Sequence, residues 1–343
     1  MKKISLPVLK KALRLVRQHG WSLLLERFVR RKEILSTPPV VCDPESALEV
    51  HTQVCRRDWL NGIWTLKSLR VQCGSAFNLF VYLDANVPPE VREILERHFP
   101  GARIPGPDWL EEQVRRKLTP IAPAMAALWR ARHSPTLCKL VNAWLCARNE
   151  CVLYLDPDVL FFAPPRELLE FIRNGRGGSL GLFNVTGSIP ESVADTGAYS
   201  LFEADVLETY RLKLPRDFNC GLEAVRLGML DWPFLEEVLN TLRWRPDRTL
   251  MVEQTCFAVQ AMQSGWERLD RNRYLVGGDG TPDETVVTIH YTGARRDLFY
   301  VEGVPRLRRQ GFMQKLADLP PLATTAPAAG VMALQGLLPP AGR

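Results

Sequence analysis

The sequence has no Cys-x-x-Cys pair, although it carries eight cysteines (Cys42, Cys55, Cys73, Cys138, Cys146, Cys151, Cys220 and Cys256) scattered through apolar contexts. That spacing argues against a structural zinc site, and with no secretory signal core ahead of it the pattern points to free thiols in a reducing compartment. Long apolar runs are missing too: none approaches the ~20 residues that a bilayer-spanning helix needs. The N-terminus shows no signal-peptide core followed by a small-residue cleavage site, so a cytoplasmic location is the expectation. There is no internal repeat. Beyond residue 32 no basic track continues and none is interleaved with aromatics, which argues against nucleic acid as a partner.

What the chain does hold is ordinary globular material. With 343 residues, 46% hydrophobic and 24% charged, it can form one large α/β domain or two small ones. Its net charge of +6 is unevenly spread: residues 1–32 carry ten Lys and Arg against the single Glu26, and the remainder is slightly acidic. In that segment Leu6, Leu9, Leu13 and Val16, then Leu23, Leu24 and Phe28, fall near helical spacing on either side of Trp21. The pattern predicts a basic amphipathic helical extension over residues 1–45. Such an extension either lies on an anionic membrane surface, making the protein peripheral at the inner membrane, or packs on the domain with its basic face in water. Residues 318–343, rich in Ala, Pro and Gly with little charge, predict a disordered tail.

Between these ends strand and helix patterns alternate. ALEVHTQVC (47–55) and FNLFVYLD (77–84) read as strands, and DWLNGIWTLKSLR (58–70) reads as an amphipathic helix. PPEVREILERHF (88–99) reads as a helix with proline at its start. Helical patterns follow at 108–131 and 136–148, a strand at 151–155, a helix at 165–173 and a strand at 179–184. FNCGLEAVRLG (218–228) and TVVTIHYTG (285–293) read as strands, with two helices between them. The order predicts a layered α/β domain over residues 46–317.

One stretch of it carries chemistry. In CVLYLDPDVLFFAPP (151–165) two aspartates flank a proline at the end of a buried strand. Pro157 can donate no backbone hydrogen bond and holds Asp156 extended, so the ladder stops there. Residues i and i+2 of extended chain point the same way, ~6 to 7 Å apart. Both carboxylates therefore face one crevice at the carboxyl edge of the sheet, where open α/β folds bind ligands. Like charges that close raise each other's pKa unless a cation lies between them, and a hard divalent ion with oxygen ligands answers that need. A bare Asp-x-Asp makes a turn as readily, but the apolar Val159–Phe162 that follows is unlike a solvated loop.

The block YLDPDVLFF resembles the Asp-x-Asp segment of GT-A-fold glycosyltransferases. The flanking order agrees: Lys139-Leu140 on the preceding helix, Asn219-Cys220-Gly221 well after it, Glu253-Gln254 on a later helix, then His290-Tyr291-Thr292-Gly293. The layout is similar to that of glycogenin-like retaining transferases and of uncharacterised bacterial relatives, over residues 47–310. The resemblance implies a GT-A, Rossmann-like α/β fold: a mixed, mainly parallel sheet flanked by helices. It also implies a nucleotide-diphosphate sugar donor held through Mn²⁺ or Mg²⁺, a glycan, lipid-linked or protein acceptor, and transfer of hexosyl type with retention.

Residue by residue, the resemblance implies Asp156, Asp158 and His290 as metal ligands. The relatives place a lysine after the His-x-x-Gly segment; here Arg295 and Arg296 follow Gly293, and arginine binds phosphate bidentately. Lys139 reaches the donor or is a snorkelling helix lysine. His51, Thr52 and Asp84 are candidates for the base or ribose. Asn219 and Gly221 offer an amide and a closely approachable backbone to a sugar, or form a turn. The resemblance also has Glu253 and Gln254 face the reacting sugar: Glu253 as general base if the reaction inverts, both as positioning groups if it retains. A nucleotidyltransferase or sugar-nucleotide hydrolase would use the same metal cradle, and a non-catalytic sugar-nucleotide-binding scaffold would keep it without turnover.

Overall fold

The computed structural model describes residues 30–131, 135–174, 179–183, 209–211, 218–241, 252–277 and 284–320, together with residues 16, 17, 20, 21 and 26. Most of the basic segment 1–29 and the tail beyond residue 320 lie outside the described residues, so the expectations for them are not addressed by it.

The predicted alternation is present. Strand β1 (Glu49–Val54) leads into helix α1 (Trp59–Cys73), β2 (Asn78–Leu83), α2 (Glu90–His98), α3 (Pro107–Gln113), α4 (Pro123–Ala131) and α5 (Pro135–Cys146). Then come β3 (Cys151–Leu155), β4 (Val159–Phe161), α6 (Arg166–Asn174), β5 (Ser179–Phe183), β6 (Phe218–Arg226), α7 (Trp232–Thr241) and α8 (Val252–Ser264). The chain continues through β7 (Trp266–Arg268), β8 (Tyr274–Val276), β9 (Thr288–His290), α9 (Val304–Arg309) and α10 (Phe312–Ala317). The main sheet has the order β2-β1-β3-β6-β5-β7, in which only β6 runs against the others. Two apolar clusters cover its faces. One contains α1, α2 and the small sheet, the other α4, α5, α7 and α8.

Two expectations are corrected. Helix α1 is not amphipathic: Leu60 through Arg70 are all buried, because the 3₁₀ segment Arg30–Ser36 and α10 pack on the side away from the sheet. Its polar residues work as clamps. Thr65 Oγ1 donates to the Pro157 carbonyl (2.8 Å), and Ser68 Oγ accepts from the Phe161 backbone N–H (3.1 Å). Within the segment expected as an extension to residue 45, Ile34, Val40 and Cys42 belong to the core. The helical pattern 108–131 is broken by a π turn at Val114–Leu118 and by the residues leading to Pro123.

The proline in the DPD segment has a further effect. β3 belongs to the main sheet, but β4, two residues past Pro157, belongs to a second sheet of order β4-β9-β8. The chain thus crosses between sheets at the paired aspartates. The late strand, expected over 285–293, is only β9 of that second sheet, and Val159 pairs with His290. This register is what delivers the histidine to the aspartates.

Candidate active site

Backbone bonds fix the site before any side chain is considered. The Asp156 N–H donates to the Gly221 carbonyl (2.8 Å), and the Tyr291 N–H donates to the Asp158 carbonyl (2.9 Å). The β3–β4 crossing is thereby stitched to β6 on one side and to β9 on the other. His290 Nε2 lies 3.1 Å from Asp158 Oδ1 and 3.6 Å from Asp156 Oδ2. The other oxygen of each carboxylate is held by a cation: Asp156 Oδ1 by Lys139 Nζ at 2.6 Å, Asp158 Oδ2 by Arg296 Nε at 2.9 Å.

The histidine is oriented from behind. Asn219 Oδ1 accepts from the Gly221 N–H (3.0 Å), so it is the oxygen of that amide. The same oxygen is 2.9 Å from His290 Nδ1, which must therefore carry the proton. Nε2 is left facing the two carboxylates. Gly221 makes the approach possible: a Cβ there would stand 2.2 Å from His290 Cε1. Asn219 and Gly221, expected to touch a sugar or form a turn, set the tautomer and the seat of the imidazole.

The residues fit a divalent ion. Ligand atoms of Asp156, Asp158 and His290 all lie within 4.8 Å of one another. Ligands at right angles around an ion with ~2.1 Å bonds stand about 3 Å apart, close to the 3.1 Å between His290 and Asp158. Burial alone would raise the Asp158 carboxyl, but His290 and Arg296 outweigh it and hold it below the usual carboxylate range. Burial likewise acts to lower Lys139, and the carboxylates of Asp156 and Glu253 outweigh it, holding the ammonium well above its ordinary range. Lys139 is charged.

Glu253 is buried, its Oε1 3.2 Å from Lys139 Nζ. Gln254 Nε2 donates to the Phe218 carbonyl (2.8 Å), tying α8 to the start of β6. Of the two arginines only Arg296 enters the site. Arg295 stands beside Gly277 and acts electrostatically on Glu302. Gly293, at φ 57°, opens the turn that carries Arg296.

A cavity of about 220 Å³ lies over the aspartates, lined by Gln53, Cys55, Arg57, Asp58, Asp84, Lys139, Asp156, Asp158 and Arg296. Asp84 lines it, accepting from Gln53 Nε2 at 2.6 Å. His51 and Thr52 do not: both are fully buried. His51 is closed in by Glu49 (2.7 Å), Tyr82 (2.7 Å) and a stacked Phe80. The misplacement is one of depth. Gln53 shares the face of His51 and stands one pleat repeat nearer the sheet edge. Arg57 and Asp58 were missed as well; their only signal was position, directly after β1 at the carboxyl edge.

No family model and no curated protein matches this chain. Solved structures do resemble it. Mouse xyloside xylosyltransferase 1 is 13% identical over 74% of this chain and 98% of its own, with a TM-score of 0.45. The bifunctional glycosyltransferase WbbM is 15% identical over 80% of this chain and half of its own, with a TM-score of 0.47. The galactosyltransferase LgtC, solved with donor and acceptor sugar analogues, is 14% identical over 80% of this chain and 98% of its own, with a TM-score of 0.45. All three are glycosyltransferases by name. At this level of likeness the activity has to be argued from the side chains.

Proposed function

We propose that the protein is a metal-dependent glycosyltransferase that moves a sugar, of hexosyl type, from a nucleotide-diphosphate sugar to a glycan, lipid-linked or protein acceptor with retention. The observation that carries the reading is the division of labour at the sheet edge. Asp156 and Asp158 each turn one oxygen towards His290 Nε2 while Lys139 and Arg296 hold the other. Asp156, Asp158 and His290 would hold Mn²⁺ or Mg²⁺, and such an ion supplies charge neutralisation for a departing diphosphate. Arg296, on the turn opened by Gly293, is placed to take a diphosphate oxygen. Asp84 and Gln53 offer the cavity an acceptor and an amide for the nucleoside.

The floor of the site supports retention. Glu253 is 2% exposed and ion-paired with Lys139, a poor position from which to remove an acceptor's proton. It serves instead to hold Lys139, and Gln254 fixes α8 against β6. The reading has the enzyme in the cytoplasm with its basic N-terminal residues against the inner membrane. Product analysis tests the chemistry. A nucleoside diphosphate and a new glycoside of unchanged anomeric configuration are expected, with the rate cut about 10²-fold or more in Asp156→Asn/Asp158→Asn. Pyrophosphate release would assign nucleotidyl transfer instead, a free sugar a hydrolase, and donor binding without turnover a scaffold.

A further inference from the structure

A second cavity, of about 300 Å³, adjoins the first; Arg57 and Arg296 line both. Arg31, Lys32 and Arg56 complete a ring of five cations around it, with Asp297 the one acid among its lining residues. Arg31 and Lys32 come from the 3₁₀ segment. That segment's neighbouring acids, Glu26 and Glu33, are both taken by Arg308, at 2.5 and 2.7 Å. Among the described residues, no carboxylate pairs with the side chains of Arg31, Lys32 or Arg56. Clustered like charges in a concavity are unfavourable until an anion enters, and arginine and lysine suit phosphate. The half-buried Trp59 adds a flat apolar wall beside them.

We propose that this cleft is the acceptor subsite and that the acceptor is a phosphorylated sugar, its phosphate held by Arg31, Lys32 and Arg56 and its ring laid on Trp59. The inference rests on the glycosyl-transfer reading and extends it to the acceptor. An acceptor seated there lies next to Arg296, whose Nε is 2.9 Å from Asp158.

The test is calorimetry on the full chain with Mn²⁺ and whichever of UDP, GDP, ADP or TDP binds. Wild type is compared with Lys32→Ala/Arg56→Ala, whose two native side chains are exposed, and circular dichroism checks the fold. Glucose 6-phosphate should bind the wild-type complex while glucose does not, and the variant should bind it about tenfold or more weakly, as loss of charge-assisted hydrogen bonds implies. The nucleotide's own Kd should stay within about twofold, as for independent sites. Nucleotide binding weakened in step would overturn the proposal and give these cations to the donor, leaving the glycosyl-transfer reading intact. Equal binding of glucose 6-phosphate by both proteins, or by neither, would overturn it too. A defect confined to phosphatidic acid vesicles would overturn it in favour of surface attachment. If no nucleoside diphosphate binds, the glycosyl-transfer reading itself fails.

Discussion

A methyl group at position 221 would stand within 2.8 Å of three atoms of the His290 ring, so the smallest possible substitution strikes the centre of the site. Gly221→Ala should displace the imidazole. Asn219→Ala should leave it in place but free its tautomer, and loss of such a supporting bond typically costs 10- to 100-fold in metal affinity. Mn²⁺ titration followed by electron paramagnetic resonance would measure both, and wild-type affinity in Asn219→Ala would contradict the assigned role. These roles were not legible in the sequence. Asn-x-Gly on a strand suits a turn or a sugar contact equally well, and its partner lies 71 positions away. The aspartate pair was legible because strand, proline and spacing are all local. The face of β1 was not, since His51 and Thr52 lie on opposite faces of the strand, and how deeply His51 sits depends on packing by Phe80 and Tyr82, which no local pattern encodes.

Helix α1 was located correctly and its character misread, because periodicity assumes one wet face and here both are covered. Its buried Lys67 shows how that second face is held. Nζ meets Thr37 Oγ1 and the Pro38 carbonyl at 2.7 Å each, and His98 Nδ1, at the end of α2, at 3.0 Å. Burial pushes Lys67 down to about 7, and burial together with the Lys67 charge pushes His98 down to about 4. The unfolded chain therefore takes up the His98 proton near pH 6.5 while the folded chain resists until about 4. The His98 contribution to stability is full above that window and is lost as pH drops through it, by on the order of 3 kcal/mol in all. Lys67 acts in the same sense at higher pH, stability rising from about 7 to 10.5. Urea denaturation across pH 4 to 6.5 should show the slope, and His98→Gln should flatten it. An unchanged slope in the variant would show that the pair does not govern this window.

Across the whole molecule, charge is sorted by position. Arg308 fastens the 3₁₀ segment through Glu26 and Glu33 and lies over the Trp64 ring, so the end of the basic segment is anchored beside the cleft. Six Lys and Arg precede this latch within residues 1–25. Each is worth about 1 kcal/mol near an anionic surface. Removing residues 1–25 should therefore weaken binding to phosphatidylglycerol vesicles by more than tenfold in a flotation assay, and undiminished binding would remove the membrane reading. The layered α/β order was readable along the chain because helix and strand periods differ. The division into two sheets was not, since it turns on three-residue strands, of which β4 and β9 pair across more than a hundred positions. What unites these levels is a pair of aspartates placed, by one proline, where two sheets meet. Calorimetry of a nucleotide-sugar panel with and without Mn²⁺, on wild type and Asp156→Ala/Asp158→Ala, examines that placement. One donor should bind only with metal and only to the wild type. Donor binding indifferent to metal and to both aspartates would return the DPD segment to a turn and remove the diphosphate site.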